Sequence, residues 1–479
     1  RDAQESRGLG DVYKRQKPII MELDNSSSVP LYIQIYHNIK KSIIYGEIKA
    51  GEKLPSLRSL SQSLGISITT VQLAYNQLLV EGYTDSRPQS GYYVSQGFYA
   101  GSESSLKPEP ALAQTSLDSE EAPPYIYDEC CFDFNKWKKC SSTVFNEYYD
   151  RLLYESDPQG EKALRVEISK YLYSSRGVTC TPAQIVIGAG TQQITGQLCR
   201  ILSRLNINHV SLEDPGYLPV QNMFRDSGFT SSHIPVRKDG IGISKLPVNI
   251  PSAVYVSPSN QFPTGTVMPA GRRYQLLDWA KANGSIIIED DYDSELRYFG
   301  KPVPALQSLD ASETVVYLGS FSSTLFPAIK ISYMVLPLSM AKIFEQIKGR
   351  YTQTCSKAEQ LTLAIFMERG YYSTGIRKLR NLYSQKLQTA VSALSRFGKG
   401  KIDALDTQSG INLIIKVNSK KNSAELCSLA KSIGIQMIPV SDISDQETGA
   451  LIFYYNRLPL PEIEASIERL ISVWGLENA

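Results

Sequence analysis

Residues 51–94 read GEKLPSLRSLSQSLGISITTVQLAYNQLLVEGYTDSRPQSGYYV, and this stretch decides the fold of the N-terminal part of the chain. Ser56 precedes LRSLSQSL and Ser67 precedes the longer run ITTVQLAYNQLLV, so each serine predicts the start of a helix. Two strand-like runs follow, on either side of a Pro-Gln-Ser-Gly turn. Two capped helices followed by a β-hairpin are typical of a winged helix-turn-helix domain.

A further helix is expected before this stretch. Three isoleucines recur at four-residue spacing after Pro30, and Gly46 stands where that helix would end. We therefore expect a small folded α+β domain over residues 26–95. Residues 1–20 match neither the helical nor the strand pattern, and we expect them to be foreign or disordered.

The rest of the chain is expected to form a linker and a second, larger domain. Residues 96–125 are rich in Ser, Pro, Ala and Glu and lack apolar periodicity, as linkers do. From residue 126 to residue 479, strand-like runs alternate with helical ones, which predicts an α/β domain with a mostly parallel sheet. The clearest strand candidates are HVSLED, AVYV, SIIIED and TVVYLGS. A long helix followed by two further strands predicts a smaller subdomain at the C-terminus.

Length and composition agree with this organisation. A chain of 479 residues is too long for one ordinary core and fits two unequal domains. The net charge of +2 does not indicate a partner, because a local basic face can be hidden in a balanced total. Seven scattered cysteines without a C-x-x-C pair favour a reducing compartment, and no apolar run predicts a membrane span or signal peptide. We expect a cytoplasmic protein without a metal site.

The LPS-x-R, T-T-V and S-G elements closely resemble the DNA-binding domain of GntR-type regulators, over residues 28–95. The resemblance implies a double-stranded DNA operator as partner. Many relatives carry an arginine where this chain has Ile68, so operator preference is expected to differ. A winged helix used for protein docking is the alternative. The implied DNA contacts are Arg58, Thr69, Thr70 and Gly91, with Ser56 and Arg87 as phosphate neighbours.

The larger domain contains motifs suited to one cofactor. A pyridoxal phosphate site of the aminotransferase kind needs phosphate donors, a carboxylate at the pyridine nitrogen, an aromatic face and a lysine. VIGAGTQQ passes from a strand into a helix, so backbone N–H groups near Gly190 and Thr191 can hold a phosphate. Asp290, at the end of SIIIED, is the candidate partner of the pyridine nitrogen. The ring-side candidates are Tyr217 in EDPGY, Asn260 in SPSNQFPTG and Tyr292 in DDYD.

In this order and spacing, these motifs resemble the aminotransferase-like domain, of fold type I, in the MocR/GabR subfamily of GntR regulators. The resemblance covers residues 126–479 and implies pyridoxal 5'-phosphate as cofactor, Ser320 as a further contact to it, and a homodimer. Family members carry an F-S-K element, whereas this chain reads SFSSTLFPAIK, with Ser323 at the lysine position. Lys330 stands where relatives place a phosphate-binding arginine, and Ile452 occupies the approximate place of a substrate-carboxylate arginine.

The serine determines the expected function. A hydroxyl can neither condense with the cofactor aldehyde nor shuttle the proton that transamination requires, so we expect no catalytic residue and no covalent cofactor. The leading interpretation is a dimeric transcription regulator whose large domain senses an effector, such as an amino acid or a compound like pyridoxal phosphate. Two alternatives stay open: a pyridoxal phosphate-dependent aminotransferase with an accessory DNA-binding domain, and a dimeric DNA-binding scaffold that needs no ligand.

Overall fold

The computed structural model describes most of both predicted domains. The chain divides into two compact units, Arg1–Glu120 and Glu121–Ala479. The predicted N-terminal segment 1–20 and nearly all of the predicted linker lie outside the described residues. The described residues are 21, 23–24, 27, 29–96, 131–291, 293–298, 303–405, 409–444 and 449–476.

The smaller unit has the predicted helices and hairpin. Ser56 and Ser67 both act as helix caps, since their hydroxyl oxygens accept hydrogen bonds from backbone N–H groups three residues later, each at 3.1 Å. Between them, Gly65 adopts the left-handed conformation that the turn requires, with φ of 66°. The elements are α1 (Leu31–Ile44), α2 (Leu57–Leu64), α3 (Ile68–Val80), β1 (Thr84–Arg87) and β2 (Gly91–Val94).

Apolar packing fixes α3 against the rest of this unit. The three isoleucines of α1 are buried against Val71, Tyr75 and Leu78 of α3, as the four-residue spacing predicts. The Tyr75 hydroxyl donates a hydrogen bond of 3.0 Å to the carbonyl of Pro55, which ties α3 to the start of α2. The two helices of the helix-turn-helix are therefore held by both burial and a hydrogen bond.

The larger unit alternates strands with helices, as predicted. Its helices are α4 (Phe134–Glu147), α5 (Lys162–Arg176), α6 (Thr191–Arg204), α7 (Leu218–Asp226), α8 (Ala270–Asn283), α9 (Leu338–Ile347), α10 (Lys357–Glu368), α11 (Tyr371–Gly398), α12 (Ser423–Ser432) and α13 (Ile463–Trp474). Its strands are β3 (Ile185–Ala189), β4 (His209–Asp214), β5 (Thr230–Arg237), β6 (Gly240–Ile241), β7 (Ala253–Val256), β8 (Ile286–Asp290), β9 (Val315–Ser320), β10 (Ile331–Val335), β11 (Ile402–Leu405), β12 (Leu413–Val417), β13 (Met437–Pro439) and β14 (Ala450–Phe453).

The main sheet has the strand order β3-β10-β9-β8-β7-β4-β5-β6. Strands β9, β8, β7, β4 and β5 pair in parallel, whereas β10 is antiparallel to both β3 and β9. The prediction of a mostly parallel sheet is confirmed. Because parallel strands end at one edge of the sheet, the loops after β3, β4, β8 and β9 meet there, and the antiparallel β10 begins there.

The C-terminal part forms the predicted smaller subdomain. Its four-stranded antiparallel sheet has the order β11-β12-β14-β13. Buried side chains of α11, α12 and α13 pack on this sheet and form a core separate from those of the main sheet. Among the described residues, no helix of either unit is long and apolar enough to cross a membrane.

A buried ion pair joins the end of α5 to the edge of the main sheet. The Arg176 guanidinium donates two hydrogen bonds of 2.8 Å to the carboxylate of Asp291, and a third of 2.7 Å to the Ser259 hydroxyl. The Arg176 and Asp291 side chains are only 2% and 1% exposed. Ser294 and Tyr317 donate further hydrogen bonds to the same carboxylate. This pair therefore has the partners that a buried charge needs.

We predict that Arg176→Leu lowers the free energy of unfolding of the larger unit by about 3–5 kcal/mol, because it leaves the Asp291 charge buried without its partner. Urea titration followed by tryptophan fluorescence measures this effect, since all three tryptophans, Trp137, Trp279 and Trp474, lie in the larger unit.

The control is Arg225→Leu. Arg225 pairs with Asp226 on the surface, where the two side chains are 71% and 67% exposed, and such pairs contribute about 0–1 kcal/mol. Equal unfolding midpoints for the Arg176 and Arg225 variants would contradict the structural role given to the buried pair.

Candidate functional site

A cavity of about 350 Å³ opens where the strand ends of the main sheet meet. Its volume lies in the range typical of small-molecule sites. Its walls come from the segments after β3, β4, β7, β8 and β9 and from the start of β10, so residues far apart in the chain share it. Residues singled out from the sequence that line it are Gly190, Thr191, Tyr217, Asp290, Ser320, Ser323 and Lys330.

One corner of the cavity contains groups that favour an anion, and its residues are Gly190, Thr191, Ser320 and Lys330. We call it the anion-binding corner. Gly190 caps α6, whose first N–H groups have no partner within the helix, and the first residues of α6 line this corner. Because β10 pairs with β3 and β9, Lys330, directly before β10, lies beside the ends of both strands. Ser320 lies at the same place, where its hydroxyl oxygen accepts a 3.0 Å hydrogen bond from Ser332. Backbone N–H groups, a hydroxyl and an ammonium are the donors that a phosphate group requires.

The opposite side of the cavity is acidic. Asp290 ends β8 and accepts a hydrogen bond from the Tyr255 hydroxyl. Burial raises the pKa of Asp290 to about 7, and the neighbouring carboxylates of Asp291 and Asp293 contribute to this rise. Strands β8 and β10 are separated only by β9, so the two sides lie roughly 10 Å apart. A flat ring with a phosphate at one end and a basic nitrogen at the other spans such a distance.

The aromatic wall and the serine complete the site. Tyr217 follows β4, is 39% exposed, and meets the ring of Phe262 edge-on, with ring centroids 6.0 Å apart. Ser323 lines the cavity in the loop after β9. Among the described residues that line the cavity, Lys330 is the only cationic side chain, and it lies in the anion-binding corner. These residues fit pyridoxal phosphate as a noncovalent ligand, and apart from Lys330 the described lining residues include no amine.

The structure leaves two predicted ring contacts untested. Asn260 is buried beside the cavity, with its side-chain oxygen accepting a 3.1 Å hydrogen bond from Ser409, and it does not line the cavity. Its role as a ring contact therefore stays a prediction. Tyr292 lies outside the described residues. Ile452, at the approximate place of a carboxylate-binding arginine, is fully buried in β14.

Among the residues that sequence reasoning missed, three lie on the acidic side of the site. Tyr255 bonds Asp290, and Asp293 lines the cavity next to it. Asp291 lines the cavity too, and it also accepts the hydrogen bonds of the distant Arg176. The density of carboxylates in EDDYD was a signal for both aspartates, because so many acids at a buried strand end need partners. Nothing in AVYV indicated that its tyrosine would face Asp290.

The smaller unit presents the predicted DNA contacts in different ways. Arg58 on α2 and Thr69 on α3 are exposed. Thr70 is half-buried, and its hydroxyl is within 2.8 Å of that of Ser67, so it belongs to the cap of α3. Ser56 likewise serves as a cap. Contacts of all four residues to DNA stay predictions.

The hairpin carries two further predicted contacts. The exposed guanidinium of Arg87 stacks on the ring of Tyr93, 4.3 Å from its centroid, which holds the cation on the wing. A hydrogen bond with Ser90 lowers the pKa of Tyr93, and the nearby charges of Lys53 and Arg87 add to this effect. Gly91 has φ of 109°, a conformation that side chains rarely adopt, so the wing turn requires a glycine there.

Comparison with known families matches both units. The description "Bacterial regulatory proteins, gntR family" matches residues 31–94, and "Aminotransferase class I and II" matches residues 145–447. The chain is 37% identical over 463 residues to the uncharacterised HTH-type transcriptional regulator YdeL of Bacillus subtilis (strain 168), covering 95% of this chain and 99% of YdeL. It is 30% identical over 374 residues to the HTH-type pyridoxine biosynthesis transcriptional regulator PdxR of Corynebacterium glutamicum, covering 77% of this chain and 79% of PdxR.

Solved structures resemble the larger unit in fold. The kynurenine aminotransferase of Pyrococcus horikoshii superposes with a TM-score of 0.63 and 22% identity, covering 74% of this chain and 90% of that protein. The α-aminoadipate aminotransferase LysN of Thermus thermophilus gives the same score and identity, with coverage of 74% and 92%. The predicted aminotransferase-like fold is confirmed by these likenesses.

We predict that the pH dependence of stability changes in Asp290→Asn. The folded protein holds a proton on Asp290 up to about pH 7, whereas the unfolded chain releases it near the ordinary value of 3.8. Between these values a rise in pH therefore destabilises the wild type through this group, by up to about 1.4 kcal/mol per pH unit. Asparagine does not titrate, so the variant lacks this pH-dependent loss of stability. It should therefore gain stability relative to the wild type as pH rises from 4 to 7.

Urea midpoints by tryptophan fluorescence across this pH range measure the difference. The control is Asp226→Asn, at a carboxylate that is 67% exposed, and its curve should run parallel to that of the wild type. A parallel curve for the Asp290 variant would show that burial does not shift the Asp290 carboxyl.

Proposed function

The chain belongs to the gntR family of bacterial regulatory proteins and carries an aminotransferase class I and II domain, and we propose that this domain senses a ligand without catalysing amino-group transfer. In this proposal the chain is a transcription regulator of the MocR/GabR type, which binds operator DNA as a homodimer. The observation that carries it is the cavity lining: a hydroxyl, Ser323, stands at the position proposed for the lysine.

In this proposal, a serine in place of the lysine is what distinguishes a sensing domain from a catalytic one. Pyridoxal phosphate, when bound, supplies an electron sink for reactions at an amino-group carbon. The protein must contribute a primary amine that holds the aldehyde carbon and moves a proton. The Ser323 hydroxyl does neither. Lys330 is an amine, but its place in the anion-binding corner suits a phosphate rather than an aldehyde.

The remaining groups support reversible binding of the cofactor. The first N–H groups of α6, which begins at Thr191 after Gly190, would hold the phosphate together with the Ser320 hydroxyl and the Lys330 ammonium. Asp290 would face the ring nitrogen, and a cation there favours the ionised carboxylate. Tyr217 would cover the ring, while Asn260 and Tyr292 remain proposed contacts to its oxygen. An amino acid or another ring phosphate is the proposed effector.

The two rival functions differ from this proposal in what they require. An active aminotransferase requires a lysine that the described lining does not place beside the proposed aldehyde position. A ligand-independent scaffold requires no binding in the cavity at all. Saturable binding of pyridoxal phosphate without turnover favours the sensor over both.

We predict that the wild type binds pyridoxal phosphate reversibly. Calorimetry should show saturable binding, dialysis should remove the ligand, and borohydride should leave no added mass on the protein. Ser323→Lys should restore an amine at the proposed position, and borohydride should then fix one cofactor to residue 323, as mapped by mass spectrometry. Ser323→Ala is the control and should behave as the wild type does.

Three results would contradict this prediction. Cofactor fixed on the wild type, or measurable amino-group exchange by it, would favour the enzyme. No binding in calorimetry would favour the scaffold. Failure of Ser323→Lys to trap cofactor that it still binds would show that residue 323 is not at the lysine position.

We further predict that Arg58→Ala weakens specific DNA binding by about tenfold to a hundredfold, as loss of one contact of 1–3 kcal/mol would. Mobility shifts with a duplex selected from a random library measure this. Lys41→Ala removes the same charge from an exposed position on α1 and should weaken binding less. Equal losses in the two variants, with unchanged circular dichroism, would show that Arg58 contributes only charge.

A further inference from the structure

The outward face of α3 has an unusual composition for a helix that reads DNA. Its sequence, ITTVQLAYNQLLV, contains neither arginine nor lysine. Ile68, Gln72 and Asn76 follow at four-residue spacing and therefore share one stripe of the helix, and all three are exposed. Ile68 is 44% exposed although isoleucine is among the residues most often buried.

The packing of α3 in the smaller unit determines which of its side chains are exposed on the outward face. Val71, Ala74, Tyr75 and Leu78 form the buried side of α3. In the first turn, Thr70 is engaged by the Ser67 hydroxyl. Ile68 and Thr69 are therefore the residues of that turn which extend away from the core, and Gln72 is next along the stripe.

The position of these residues assigns them to the base edges. In a helix-turn-helix, the second helix enters the major groove and its N-terminal residues meet the bases. Here that helix is α3, and Ile68 is its first residue. The cations Arg58 and Arg87 lie on α2 and the wing. The uncharged first turn of α3 would therefore meet base edges beside the predicted DNA contact of Arg58.

Each exposed group has a preferred partner in the major groove. The commonest guanine contact is a bidentate arginine or lysine, and α3 offers neither. An aliphatic side chain makes apolar contact with the C5 methyl group of thymine, and glutamine bonds adenine at N6 and N7. A helix that begins with an exposed isoleucine and carries glutamine one turn later is thus complementary to A·T base pairs.

We propose that α3 reads A·T base pairs in each operator half-site, with Ile68 packed on a thymine methyl group and Gln72 bonded to an adenine. This inference rests on the operator binding proposed above and adds which bases are read and by which residues. It makes Ile68 a specificity-determining residue rather than a surface position of no consequence.

The experiment removes only the methyl group. The full chain selects its operator from random duplexes, and each thymine of one half-site is then replaced in turn by deoxyuridine. One replacement should weaken wild-type binding roughly threefold to fivefold, the effect of about one buried methyl group. Ile68→Ala should bind more weakly overall and should no longer distinguish thymine from uracil there.

Two further variants sharpen the test. Val80→Ala shortens another exposed aliphatic side chain of α3, 82% exposed at the far end of the helix, and should keep the wild-type response to uracil. Ile68→Arg should select operators with a guanine at the position where the wild type selects the thymine contacted by Ile68. Circular dichroism of each variant verifies the fold.

The outcomes distinguish this inference from the function on which it rests. A chain that selects no duplex overturns operator binding itself. Selective binding by the wild type without a uracil effect at any thymine overturns the reading by Ile68 and leaves operator binding intact. An equal uracil penalty in the wild type and in Ile68→Ala also overturns it, as does an operator with guanine at every base that α3 meets.

Discussion

The ion pair between Arg176 and Asp291 is the interaction on which the larger unit's cavity depends. A guanidinium and a carboxylate removed from water are stable only when geometry and additional hydrogen bonds offset the loss of hydration. Here the fork of Arg176 meets both carboxylate oxygens, and Ser294 and Tyr317 donate further hydrogen bonds to Oδ2. The chain direction directly after β8 is thereby fixed, and with it the placement of the adjacent Asp290.

The cavity is polarised because its walls come from different strands. The anion-binding corner belongs to β3, β9 and β10, whereas the acidic side belongs to β8. Such a charge distribution persists whether or not an amine is present, since helix ends, strand ends and buried carboxylates belong to the scaffold. In the proposed function, a serine at the lysine position would remove catalysis without removing the groups that would orient a phosphate and a ring nitrogen. The proposed sensor would thus use the charge distribution of an aminotransferase-like site to bind its ligand.

In the proposed complex with DNA, the smaller unit carries its cations and the base-reading face of α3 on different elements. Its exposed cations, among them Lys41, Arg58 and Arg87, lie outside α3, and the Arg87 guanidinium is held by stacking on Tyr93. Helix α3, the second helix of the helix-turn-helix, has an uncharged face of aliphatic and amide side chains. Long-range attraction to phosphate is weakened by salt, whereas methyl contacts and amide hydrogen bonds to bases depend on close fit. A regulator built this way can vary its operator by changing a few residues of one helix.

The sequence by itself determined the local structure and predicted seven of the residues that line the cavity. Ser56 and Ser67 cap their helices as predicted, because capping depends on residues only three positions apart. The alternation of strands and helices predicted the α/β class, and Ser323, singled out from the sequence, lines the cavity. Only the tertiary structure decided which distant groups meet. Arg176 finds Asp291 across 115 residues, and the antiparallel insertion of β10 brings Lys330 beside Gly190. The same packing leaves Asn260 outside the cavity wall. Periodicity and capping arise from neighbours along the chain, whereas these contacts depend on strand order and burial, which no local pattern encodes.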